Sequence, residues 1–215
     1  MNEWMLMTTT AVSVGFLHTV IGVDHYLPFV ALAKSRRWNT GEIFKWTLLG
    51  GFGHIAGALA VGLAALAFGA TLEKMKLWDA VRGDTSAWVL AGFGLAYFFW
   101  GLREAFRRKA GCGQDVETAG RGRFPAGILC TVLVVGPCEP MIPLLMVPAS
   151  AGDVFLFIWI ALVFGAVTIG TMVSLAVILS RMSPSVTWRG WPRFEHAAAG
   201  LVICGCGLMV QWMGW

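Results

Sequence analysis

The sequence predicts an all-α integral membrane protein whose six transmembrane helices form two inverted three-helix repeats. Three observations carry that expectation: an apolar, charge-poor composition, basic residues gathered in alternate loops, and two halves that align at nearly one offset. Of 215 residues, 57% are hydrophobic and 13% charged, and the mean hydropathy is +0.71. Soluble domains run near ~45–50% apolar and ~25% charged, so the chain falls outside that class.

Apolar runs of about 20 residues, the length a helix needs to cross a hydrocarbon core, recur along the whole chain, which one cleaved signal peptide does not explain. Taken in order, they place spans at about 6–33, 43–70, 86–105, 124–149, 153–180 and 196–214. The first follows "MNEW" without a basic leader and is expected to be retained. Several of the eleven tryptophans, among them Trp4, Trp38, Trp88, Trp212 and Trp215, stand near span ends, where the ring anchors at the lipid interface.

The charges order these spans. Lys34, Arg36, Arg37 and Lys45 lie between the first and second; Arg103, Arg107, Arg108, Lys109, Arg121 and Arg123 between the third and fourth; Arg181, Arg189 and Arg193 between the fifth and sixth. Lys74, Lys76 and Arg82 fall in the stretch after the second span, offset by Glu73, Asp79 and Asp84. The positive-inside rule makes the basic side cytoplasmic, so both termini are expected outside. The net charge of +4 thus reports orientation in a lipid bilayer and gives no case for nucleic acid. The localisation that follows is a bacterial or archaeal cytoplasmic membrane.

A shift of 114 residues lays "GVDHYL" (22–27) on "GPCEPM" (136–141), pairing Asp24 with Cys138 and His25 with Glu139, and also pairs His54 with Thr168. A shift of 113 lays "LAGFGLAYFFWG" (90–101) on "ICGCGLMVQWMG" (203–214). Because three spans is an odd number, the second copy must enter the bilayer from the opposite face, an arrangement secondary transporters use to build two alternating gates. The chain then divides into a first repeat over 1–105, a cytoplasmic linker over 106–123, and a second repeat over 124–215.

Polar groups inside spans are costly and mark a site. Here they are His18, Asp24, His25 and His54 in the first repeat and Cys138, Glu139, Thr168 and Thr171 in the second. Imidazole, carboxylate and thiolate together suit a transition metal ion, whereas magnesium or calcium would call for oxygen ligands alone. On an unbroken helix His18 and His25 share a face but stand about 10.5 Å apart along the axis, too far for one ion. Gly22 lies between them, so the first helix is expected to break near Gly22. The fourth is expected to break at the matched place, between Pro137 and Pro140.

The bland readings are packing ones. Thr168 and Thr171 suit helix contacts as well as they suit lining. His196 reads as interfacial, and Cys130, Cys204 and Cys206 as small apolar side chains. No CxxC pair occurs.

"GFLHTVIGVDHYLPFVALA" with "GGFGHIAGA" downstream resembles the nickel/cobalt permease group, in particular its short UreH-like branch within the LysE-type transporter superfamily. The resemblance implies that His18, Asp24 and His25 form a first metal motif and His54 a second, with nickel or cobalt as substrate. Five residues separate His18 from Asp24, one more than in the better-known nickel permeases. "GPCEPMIPLLMVPAS" is similar to the Pro-Cys segment of CcdA- and DsbD-type thiol-disulfide electron carriers, which is the alternative function. Those carriers use one Cys in each repeat, and no Cys precedes residue 112 here. A non-transporting assembly factor fits the size but leaves the matched breaks unexplained.

The expectation is therefore a permease, not an enzyme, that moves a divalent transition metal ion by alternating access around a midplane site of His18, Asp24, His25, His54, Cys138 and Glu139. Thr168 and Thr171 stand as lining from the second repeat. The metal is substrate, with no permanently bound cofactor, and the state of oligomerisation is left open. Because ligating imidazoles must be deprotonated, affinity is expected to fall as pH drops through the ordinary His range near ~6.5.

Overall fold

A computed structural model describes residues 2–67, 72–109, 124–136, 138, 140–182 and 194–213. Among these residues the protein is entirely helical, with no strand. Eight α-helices follow in order: α1 Glu3–Ile21, α2 Leu27–Ser35, α3 Thr40–Ala67, α4 Leu72–Lys109, α5 Phe124–Val135, α6 Met141–Ser150, α7 Val154–Met182 and α8 Glu195–Met213. A 3-10 turn, Val23–His25, joins α1 to α2. Glu3–Ile21, Ala80–Arg107 within α4, and Val154–Met182 are long and apolar enough to cross a membrane; Pro125–Val135 and Met141–Ser150 are apolar but shorter.

Within the described residues each apolar run of the sequence is helical, and the first is broken where glycine and the Asp-His pair predict. α1 stops at Ile21, and Gly22 takes φ −73° and ψ 79°, outside the helical region. Its N–H still reaches His18 O at 2.9 Å, closing the last turn. Pro28 stands in the first turn of α2, where a missing N–H costs nothing. The fourth run breaks between Val135 and Met141, with Pro140 preceding α6 at φ −67°. Pro137 and Glu139 lie outside the described residues.

Two boundaries differ from the sequence reading. The charged stretch after the second span is helix from Leu72 onward, because Leu, Glu, Lys and Met are strong helix formers whatever their charge. At 38 residues, α4 is about 57 Å long, well beyond a hydrocarbon core of about 30 Å. The linker expected at 106–123 gives its first four residues to α4, and 110–123 lies outside the described residues.

The packing pattern is reciprocal. α1 packs on α7 and α5 packs on α3, so the first half of each broken run lies against the long helix that follows the other break. α3 also meets α7, and α4 runs along α8 in the most extensive pairing of the molecule. In that last seam a Cβ on Gly94, Gly101, Gly200 or Gly207 would collide with the backbone nitrogen of Cys204, Ala197, Phe98 or Ala91 respectively. The helices meet backbone to backbone, as small residues allow between apolar helices. The interior divides into two apolar clusters, one around Phe29, Leu129 and Ile203 and one around Phe164, Ile160 and Met141.

Candidate metal centre

The break at Gly22 turns the chain back on itself and brings His25 beside His18, with ring centroids 4.9 Å apart and nearly perpendicular. An unbroken helix would have kept them about 10 Å apart. A Cβ on Gly22 would stand 2.7 Å from His25 Nδ1 and 2.9 Å from His18 O, so only glycine leaves room for the imidazole over the break. His54 arrives from the middle of α3, its ring 4.8 Å from that of His25 and 6.4 Å from that of His18, nearly parallel to the latter. What admits it is the glycine content of α3. A Cβ on Gly57 would overlap the carbonyl oxygen of Val134, and one on Gly53 would stand 2.6 Å from Val134 Cγ2. α5 therefore lies close enough for His54 Nδ1 to donate to Leu133 O at 3.1 Å.

Cys138, buried in the second break, completes the group. One donor atom from each of His18, His54 and Cys138 falls within 4.8 Å of the others. His54 and Cys138 are 1% exposed and His25 is 4% exposed, while His18 is partly buried.

The hydrogen bonds fix which nitrogen faces inward. His25 Nδ1 lies 3.1 Å from Gly22 O and 3.2 Å from Asp24 Oδ1, both acceptors, so Nδ1 carries the proton. His54 Nδ1 faces a carbonyl and must carry one as well. In a neutral ring the lone pair then sits on Nε2. The Nε2 atoms of His18, His25 and His54 are all buried and have no hydrogen-bond partner among the described residues. Buried polar atoms are nearly always paired, and three orphans in one cluster require an explanation. A carboxylate or carbonyl on the far nitrogen is how proteins orient a metal-ligating histidine.

Of the residues singled out in the sequence, His18, His25, His54 and Cys138 are brought together. Asp24 sits behind His25 as its hydrogen-bond acceptor, with a side chain 22% exposed against 5% for His25. It lines a cleft with Pro28, Ser86, Leu90, Leu133 and Gly136. Glu139 lies outside the described residues. Thr168 is fully buried, with an unpartnered Oγ1 that packs against Gly15 of α1. Thr171 is partly buried on α7.

Two contributors carry no sequence signal: the carbonyl of Leu133, and Arg82, whose Nη2 donates to Val134 O at 3.2 Å and to Gly136 O at 3.3 Å. His196 stands apart from the centre. Its Nδ1 is 3.0 Å from Tyr97 Oη, which also accepts from Arg36 Nε at 3.2 Å.

No family model matches the chain, and neither a curated protein nor a solved structure matches it.

Proposed function

We propose that the protein is a permease for a divalent transition metal ion, which it carries as substrate by alternating access. The carrying observation is that one donor atom from each of His18, His54 and Cys138 falls within 4.8 Å of the others, while the Nε2 atoms of His18, His25 and His54 are buried with no partner among the described residues. A site of this kind inside a chain with membrane-length apolar helices is a functional site by default, because such groups are expensive there.

The reading extends to six spans in two inverted repeats, in a bacterial or archaeal cytoplasmic membrane with both termini outside. Its support is the paired breaks, the reciprocal packing of α1 on α7 and α5 on α3, and the basic loops on alternate sides. Neutral imidazoles would hold the cation, Asp24 would orient His25 and face the cleft through which an ion approaches, and the two breaks would place the ligands between the repeats. The resemblance in the first two spans implies nickel or cobalt; lipid and the metal are the partners.

The test is a titration of purified protein with nickel, cobalt, zinc, manganese and iron(II), paired with metal uptake into proteoliposomes, for the wild type, His25→Ala and Cys138→Ala. Saturable binding and uptake that collapse in His25→Ala support the permease. Absence of any bound metal, with Cys138 labelling that follows the redox state, overturns it in favour of the electron carrier.

A further inference from the structure

The donor set itself narrows the substrate, on the premise that the cluster is a metal site. The three residues whose donor atoms converge most closely are two histidines from the first half and one cysteine from the second. Imidazole alone accepts zinc, copper, nickel and iron, and its affinities follow the general order in which nickel exceeds cobalt. A thiolate changes that choice. Soft sulfur selects ions such as zinc, and a site with few, short, tetrahedrally disposed donors suits an ion without d-electron geometric preference.

The geometry agrees. A tetrahedron with Zn–N of about 2.0 Å and Zn–S of about 2.3 Å has edges of roughly 3.3–3.6 Å. The donors here lie within 4.8 Å, so a closure of about 1 Å completes the set. Among the described residues no octahedral oxygen shell is at hand: Asp24 is directed to His25 Nδ1, and Thr168 packs against Gly15.

We infer that the substrate is a thiophilic ion, zinc(II) among the divalent metals, held by His18, His54 and the thiolate of Cys138, and that Cys138 sets the preference for zinc over nickel and cobalt. On ligation the thiol loses its proton to solvent and the sulfur donates a lone pair to the ion, with no change of oxidation state. His25, whose ring touches both other rings, offers its Nε2 for the fourth position.

The experiment is metal competition on the full-length protein in detergent, wild type against Cys138→Ser, together with the absorption spectrum of the cobalt-loaded wild type. Zinc is expected to bind at least tenfold tighter than nickel or cobalt in the wild type, and that preference is expected to vanish in Cys138→Ser while nickel affinity changes less than threefold. The cobalt-loaded wild type is expected to show a thiolate-to-cobalt charge-transfer band in the near ultraviolet, a readout that stands even if the variant fails to fold. Nickel binding tighter than zinc in the wild type, an unchanged order in Cys138→Ser, or a cobalt spectrum without the sulfur band overturns the inference while leaving a metal permease intact. Failure of the wild type to bind any of these metals overturns the permease reading itself.

Discussion

The two helix breaks do the same geometrical job by opposite means. At the first, the freed backbone groups are satisfied from within the segment: Gly22 N–H reaches His18 O, His25 N–H reaches Gly22 O, and the hydroxyl of Tyr26 donates to Val20 O at 3.2 Å. At the second, much of the work is done by the other half of the chain. Leu133 O is taken by His54 of α3, and Val134 O and Gly136 O by Arg82 of α4. The first break is self-contained, whereas the second has bonds of its own from Gly136 N–H to Val132 O and from Met141 N–H to Cys138 O and leans on α3 and α4 for the rest. Irregular buried backbone survives where the protein satisfies it, and here the two ways of doing so sit side by side.

Perturbing the borrowed break should therefore cost more metal affinity than perturbing the local one. The largest effect is expected from Gly57→Leu, which forces α3 off Val134, removes the His54–Leu133 bond and overpacks the interface. A loss of about 3 kcal/mol in detergent unfolding, with loss of metal binding, is the expected outcome. A variant as stable as the wild type would mean that α5 does not lie where His54 needs it.

His54→Ala comes next. It removes a ligand and leaves Leu133 O with the Gly136 N–H alone, and should weaken metal affinity about 100-fold, the upper end of what loss of an orienting group alone produces. Lowering the pH from 7.5 to 5.0 should follow. A ligating imidazole must be neutral and a ligating thiol must lose its proton, so affinity is expected to fall with falling pH. Binding that tightens as the pH falls would remove the histidines and the Cys138 thiolate from the ligand set.

The sharpest contrast is the smallest pair. Arg82→Met removes two bonds to the borrowed break and is expected to cost about 1 kcal/mol and to weaken metal binding severalfold. Tyr26→Phe, which removes one bond at the self-contained break, should cost a similar ~1 kcal/mol in stability with affinity unchanged. Equal effects of the two on affinity would erase the distinction between the breaks.

That distinction also explains what the sequence made legible. A glycine, an Asp-His pair and a histidine seven residues upstream form a local pattern, and the convergence of His18, His25 and His54 was readable from it because one backbone turn produces most of it. The role of Leu133 was not readable, since its contribution is a carbonyl that every residue possesses. Arg82 was read as one of several charges balanced in a loop, because charge density masked the helix propensity of 72–84. Reading His196 as interfacial missed its bond to Tyr97, a residue 99 positions away. The breaks themselves followed from composition; the partners that hold the second one in shape depend on tertiary approach, set by glycines such as Gly57 whose meaning emerges only when the neighbouring helix is in place.

The glycine seam between α4 and α8 carries a mechanical consequence. Where Gly94, Gly101, Gly200 and Gly207 bring the two main chains together, no side chain stands between them to compress or rearrange. They can neither roll nor slide past one another without collision, so the pair behaves as a single stiff strut. His18, His25, His54 and Cys138 all lie on elements outside it. In the proposed permease, the strut would be the fixed frame against which those elements are displaced.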